Sequence, residues 1–239
     1  MSHNKFNLKT AGYTMPGQDL MIANPDENGE GEICMRGRSM MMGYLKNEKA
    51  TIDTIDSMGY IHSGDKGKVN KEGFLCITGR IKELIITAGG ENVAPVPIED
   101  NLKFICPPCS NIMMIGEQQR FMAALITFKV DIDPKTGVPS RTMTSEAVNF
   151  FKKELGEEIK TTDEAIANPK VSEYIKKCIE QTNKKSVSRA AHMRKFKLLP
   201  DDFSIPGGEL TPTLKLKRKV TEKKYQQFVD EMFAAEPKL

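Results

Sequence analysis

Long apolar runs are missing from this chain of 239 residues: the longest, such as Phe121 to Phe128, end after about one strand's length. A membrane-spanning helix needs roughly 18 to 20 such residues, so the pattern argues against a helical transmembrane protein. The first nine residues, Met1 to Lys9, lack the apolar core of a secretion signal and read as mid-domain sequence. The expected location is the cytoplasm. The 39% hydrophobic and 28% charged content is that of a soluble chain able to bury a core, in one large or two small domains.

A disulfide framework is also absent. Five cysteines cannot all pair within one chain, and Cys34, Cys76, Cys106, Cys109 and Cys178 are widely spread. Reduced thiols are expected. Cys106-Pro107-Pro108-Cys109 has the spacing of a redox or half-zinc motif, but no second Cys-x-x-Cys accompanies it, and a structural loop is the simpler reading. No metal-ligand set is read from the sequence.

The net charge of +3 conceals an asymmetry. From Lys170 to Lys224 there are 15 Lys plus Arg against 6 Asp plus Glu, so this stretch carries +9 and the remainder −6. Such a field attracts nucleic acid, an anionic membrane surface or a phosphorylated small molecule alike. The stretch lacks the regular aromatic interleaving of a single-strand stacking platform, which disfavours nucleic acid.

Two textures divide the chain. From Gly12 to about Gly79 turns such as Pro16-Gly17, Asn28-Gly29, Met58-Gly59 and Glu72-Gly73 separate short β-type runs, including Glu32 to Arg36 and Gly73 to Thr78. That pattern predicts a small antiparallel β unit. After Arg80 strands are expected at Leu84–Thr87, Asn111–Ile115, Ala123–Phe128 and Met193–Leu199. Helices are expected at Pro97–Phe104, Ser145–Leu155, Pro169–Lys185 and Thr221–Phe233, the last with Tyr225, Phe228, Val229, Met232 and Phe233 on one stripe. The fold class is α+β: a β subdomain over 1–79, a junction at 80–82 and a compact mixed α/β domain over 83–239.

Three segments carry chemistry beyond composition. In His62-Ser63-Gly64-Asp65 a carboxylate follows a Ser-Gly turn between two β runs, which by spacing alone is most simply a turn-capping Asp. Thr78-Gly79-Arg80-Ile81-Lys82 sits at the change of texture, and the hydrophobic strand after it runs into Ala88-Gly89-Gly90, where backbone can approach a ligand closely. Gly207-Gly208-Glu209-Leu210 leads through Thr211-Pro212-Thr213 to Leu214-Lys215-Leu216-Lys217-Arg218, which read alone is equally a charged surface turn.

In this order the segments resemble the C-terminal motifs of the adenylate-forming enzymes, with Gly31-Glu32-Ile33 through Arg36-Gly37 as a further match upstream. More narrowly, Lys82 to Glu99 and Gly207 to Arg218 resemble the bubblegum type of long-chain fatty-acid CoA ligase. The resemblance implies a two-step reaction using ATP, CoA and Mg2+, the metal bound mainly by upstream residues. It places Asp65 and Arg80 on the ATP ribose and phosphate region, Lys215 as the catalytic lysine of adenylation, and Lys82 at a hinge. Ala88, Gly89 and Gly90 would line the pantetheine path. Leu214 stands where many relatives have glycine, and Ser63 where they commonly have Thr.

Missing, however, are a Gly/Ser/Thr-rich phosphate loop, an adenine-binding segment and an acyl tunnel. The expectation is therefore the last third of such an enzyme, partnered by the absent N-terminal part and inactive alone, with peripheral membrane contact an open possibility. Two alternatives stand beside it: a non-catalytic nucleotide- or partner-binding module, and an adenylate-forming relative that does not use CoA. Lys184, Lys185, Arg189, Arg194 and Lys195 form a candidate anion-facing cluster.

Overall fold

One local device shapes the first half of the chain. In Asp26 to Glu30, Asp56 to Tyr60 and Asn70 to Phe74 the first side chain accepts from the backbone N–H groups two and four residues on, at 2.9 to 3.0 Å. Each turn then places a glycine at its fourth position, Gly29, Gly59 or Gly73, with φ between 73° and 86°. Only glycine adopts that backbone without strain. The computed structural model that shows this describes residues 7–8, 10–186 and 188–234, so most of the N-terminal stretch considered for a secretion signal lies outside it.

The chain forms two compact units, residues 1–84 and 85–239. In the first, β1 (Gln18–Ala23), β2 (Gly31–Gly37), β3 (Ile61–Val69) and β4 (Leu75–Arg80) form a four-stranded antiparallel meander in the order β1-β2-β3-β4. Helix α1 (Glu48–Thr54), which turn-rich sequence did not announce, is capped by Asn47 and buries no residue. The core is small: Ile33, Cys34, Tyr60 and Phe74. A short 3-10 turn, Ile81–Glu83, follows β4.

The second unit begins with a two-residue hairpin, β5 (Ile85–Ile86) and β6 (Asn92–Val93), shorter than the strand expected over Leu84–Thr87. Then come α2 (Pro95–Ile105), β7 (Cys109–Ile115), β8 (Met122–Phe128), β9 (Val130–Ile132), β10 (Pro139–Met143), α3 (Ser145–Leu155), α4 (Thr162–Ala167), α5 (Pro169–Asn183) and β11 (Met193–Leu198). The sheet β11-β8-β7 is mixed, with β8 parallel to β11 and antiparallel to β7. All seven residues of β8 are buried because both faces of the sheet are covered. Met122, Ala124, Ile126 and Phe128 join residues of α2, α3 and α5 on one face, while Ala123 and Leu125 join Leu199, Phe203 and Val229 on the other.

The expected helix over Thr221–Phe233 is two helices, α6 (Arg218–Lys224) and α7 (Gln226–Ala234), broken at Tyr225. Packing overrides the helical period there: the Tyr225 hydroxyl donates to Glu209 at 3.3 Å, and its ring lies against Phe203 and Phe228. Among the described residues no helix is long and apolar enough to cross a membrane.

Candidate functional site

In the first unit a bulge presents the Ser-Gly-Asp turn. Glu32 faces Lys66 and Cys34 faces His62 across β2 and β3, so three residues of β3, Ser63, Gly64 and Asp65, stand against the single Ile33 of β2. Gly64 takes a φ of 72° there, which a bulge demands of its backbone. Three bonds hold the bulge: Gly64 N–H donates to Glu32 Oε1 at 3.0 Å, Ser63 Oγ donates to the Ile33 carbonyl at 2.7 Å, and Asp65 N–H donates to Ser63 Oγ at 3.0 Å.

Asp65 stands opposite Arg80 on β4, and Arg80 Nε donates to Asp65 Oδ1 at 3.1 Å. The structure thus brings together the two residues expected at the ribose. Arg80 Nη1 also lies 3.8 Å from Glu83 in the 3-10 turn that contains the exposed Lys82. The division between units falls after Leu84, two residues beyond the expected junction at 80–82.

Beneath the bulge lies a group the sequence reading passed over. His62 Nδ1 is 2.7 Å from Glu32 Oε2 and 3.5 Å from Cys34 Sγ, and its Nε2 is 3.5 Å from Asp56 Oδ2. The hydrogen bond to Glu32 outweighs partial burial and holds the imidazole above its usual range. Burial, with the Glu32 and Asp56 carboxylates, pushes the Cys34 thiol up to about 11.

In the second unit Ala88, Gly89 and Gly90 form the exposed turn of the β5–β6 hairpin. A Cβ added at Gly90 meets nothing within 4 Å and one at Gly89 meets only Thr87 Oγ1 at 3.7 Å, so the space before this turn is open. Neighbouring backbone fixes the turn: Ala88 N–H donates to the Gln119 carbonyl at 3.0 Å, Gln118 N–H to Ile86 at 2.8 Å, and Ile86 N–H to Glu117 Oε2 at 3.0 Å.

Lys215 sits on a tight hairpin closed by the bridge between Leu210 and Leu216. Thr211 N–H donates to the Lys215 carbonyl at 2.8 Å and Lys215 N–H donates to Thr211 Oγ1 at 3.0 Å. Leu214 bends the tip with a φ of 60°, the conformation that a glycine at this position adopts freely. Lys215 is exposed, and no carboxylate among the described residues lies in ion-pair range of it.

The base of that hairpin is buried. Glu209, 1% exposed, takes the Lys224 ammonium and accepts from Ser204 N–H at 3.2 Å. Burial alone would raise its carboxyl, but Lys224 and the Ser204 amide overcome this and keep it below the usual range. Lys217 N–H donates to the Glu209 carbonyl at 2.8 Å, and Arg218 forks onto Glu99 of α2. Neither Glu99 nor Glu209 was read as functional, although both lie within the quoted motifs. Lys195, placed in the candidate anion cluster, is instead used internally: its ammonium donates to the Met232 carbonyl at 2.8 Å over the Phe121 ring.

Comparison with known proteins follows the same lines. Residues 82–237 match the family of AMP-binding enzyme C-terminal domains. Long-chain-fatty-acid–CoA ligase ACSBG2 of Gallus gallus is 46% identical over 231 residues, covering 96% of this chain and 30% of the relative. Long-chain-fatty-acid–CoA ligase ACSBG1 of Mus musculus is 43% identical over 230 residues, covering 95% of this chain and 32% of the relative. The chain therefore spans about a third of the length of these curated relatives. Among solved structures, the adenylation domain of a carboxylate reductase from Mycobacterium chelonae superposes with a TM-score of 0.67 at 20% identity, covering 93% of this chain and 31% of that one. The match over 82–237 establishes that this chain belongs to the family of AMP-binding enzyme C-terminal domains.

Proposed function

We propose that this chain is the C-terminal part of an ATP-dependent, AMP-forming long-chain fatty-acid–CoA ligase. The observation that carries the reading is Lys215: an exposed ammonium at the tip of a hairpin whose base is anchored by buried charge. The names of the relatives similar over nearly the whole chain supply the substrate class.

In the first step a fatty carboxylate oxygen attacks the α-phosphorus of ATP, a P–O bond forms, and the bond to diphosphate breaks. Two anions approach one another, so a cation where negative charge accumulates lowers the barrier, and Lys215 supplies it by bridging carboxylate and α-phosphate oxygens. Asp65 accepts from the ribose hydroxyls, while Arg80, already hydrogen-bonded to Asp65, holds that carboxylate in place and donates to the same region. Mg2+, when bound to ATP, offsets the charge of the departing diphosphate; no residue of this chain is assigned to it.

In the second step the CoA thiol loses its proton and attacks the acyl carbon, and AMP leaves as the C–O bond breaks. The open space before Gly89 and Gly90 suits a pantetheine arm passing along backbone. Lys82, exposed in the 3-10 turn two residues before the end of the first unit, is the hinge at which the second unit changes orientation between the steps.

The test uses the whole protein that carries this segment. Lys215→Ala should lower ATP–diphosphate exchange by roughly 100-fold or more while leaving the thermal midpoint unchanged. Exchange at the wild-type rate overturns the role of Lys215. AMP release that does not depend on CoA overturns the ligase reading in favour of another acyl acceptor. The 239-residue chain alone should form no diphosphate from ATP and fatty acid.

A further inference from the structure

We propose that Cys34, His62 and Glu32 form a structural binding site for a zinc-class divalent cation that pins the Ser63-Gly64-Asp65 bulge. Glu32 and Cys34 are two apart on β2 and so share a face of the sheet, and His62 is the residue directly opposite Cys34 on β3. A thiol, an imidazole and a carboxylate from paired strands therefore converge, with one ligand atom from each within 4.8 Å of the others.

The spacing suits tetrahedral zinc. Bonds of about 2.3 Å to sulfur and 2.0 to 2.1 Å to nitrogen place S and N about 3.5 Å apart, and Cys34 Sγ lies 3.5 Å from His62 Nδ1. Glu32 Oε2 is closer to Nδ1, at 2.7 Å, a hydrogen-bond distance. A tetrahedral cation between them takes the place of that hydrogen bond and widens the pair by about 0.6 to 0.8 Å, within reach of one carboxylate rotation.

The surroundings also fit. Asp56 Oδ2 faces the other imidazole nitrogen, Nε2, at 3.5 Å, the arrangement by which a carboxylate orients a metal-ligating histidine. Glu32 Oε1 is committed to Gly64 N–H, which leaves Oε2 for the cation and links the site directly to the bulge. Thiolate and carboxylate neutralise a divalent charge, and the mix of sulfur, nitrogen and oxygen donors favours zinc over magnesium or calcium. Three protein ligands leave the fourth position to water. Cys34 is fully buried and Cys76 lies on β4, so the site draws on a single thiol.

The probe is Co2+, which replaces zinc and reports its own ligands. Added to the reduced 239-residue chain, one equivalent should give a thiolate-to-cobalt charge-transfer band in the near ultraviolet and visible d–d bands of tetrahedral intensity. Zn2+ should bleach both. Cys34→Ser should abolish the charge-transfer band and His62→Gln should weaken binding at least tenfold. The double variant Cys106→Ser/Cys109→Ser should keep the full spectrum, with circular dichroism confirming that each variant is folded. No charge-transfer band in the wild-type chain, or a band that survives Cys34→Ser, overturns the proposal. So does a band lost only in Cys106→Ser/Cys109→Ser. None of these outcomes depends on ligase activity, so the site stands or falls apart from the proposed reaction.

Discussion

Arg218 grips both oxygens of the Glu99 carboxylate, at 2.8 and 2.6 Å, and joins the start of α6 to α2 across 119 positions of sequence. Glu99 is only 5% exposed and also accepts from Met114 N–H at 2.6 Å, so a single side chain ties α6, α2 and the sheet together. The Lys215 hairpin runs directly into this junction. The position of the lysine is thus inherited from a buried ion pair rather than from the hairpin alone.

Glu99→Ala should therefore destabilise the second unit strongly. Removing one partner of a buried pair typically costs about 3 to 5 kcal/mol, since the other charge keeps its desolvation cost. Urea unfolding followed by circular dichroism reads the change. A midpoint equal to wild type would show that the fork is not structural.

Glu209 should impose a pH dependence on the same region. Its carboxyl is held below the usual range in the fold, so its contribution is present above the unfolded value of about 4.3 and is lost as pH falls through the lower folded value. The titratable groups facing it among the described residues are Lys224 and Tyr225. Glu209→Gln should flatten the acid limb of the stability profile and cost roughly 2 to 3 kcal/mol at neutral pH. An unchanged acid limb would assign the pH dependence elsewhere.

Gly67→Ala tests the packing of the first unit. A Cβ there runs into the Cys76 carbonyl oxygen and approaches Ile33 Cδ1 to 2.7 Å, one rigid and one core neighbour. The expected loss is about 1 to 3 kcal/mol. It should appear as faster hydrogen exchange in β2, β3 and β4, with β8 unaffected.

The thiols should differ sharply in reactivity. Cys34, Cys106, Cys109 and Cys178 are buried, whereas Cys76 is partly exposed. The adjoining Cys109 thiol, 3.1 Å away, together with burial, pushes the Cys106 thiol well above its usual range. In the native, metal-free chain iodoacetamide should modify Cys76 first, the others reacting only on unfolding; mass spectrometry of the alkylated peptides checks this. Early labelling of Cys106 would revive the redox reading of its motif.

Local pattern sufficed for much of the fold. The Asx-to-glycine turns at Asp26, Asp56 and Asn70 announce the meander because their geometry is satisfied within five residues. The helix at Ser145–Leu155 begins and ends as its amphipathic period predicts, capped by Thr144 and closed by Gly156 with a φ of 71°. Asp65, Arg80 and Lys215 stand out in the sequence as members of short ordered motifs, and the structure pairs the first two and exposes the third; their roles belong to the proposed function.

What the sequence could not show lies in pairs far apart along the chain. Glu99 with Arg218, Glu209 with Lys224, and His62 with Glu32 and Cys34 are separated by 119, 15, 30 and 28 positions, and nothing local marks one as the partner of the other. Tyr225 broke a helix that periodicity predicted as continuous, because a buried carboxylate and two aromatic rings outweighed one turn of backbone hydrogen bonds. Sequence alone determined which residues carry charge and where the chain turns. Only the tertiary structure decided which charges are spent on holding the fold, as at Arg218, and which face solvent, as at Lys215, because burial and pairing exist only once distant strands and helices meet.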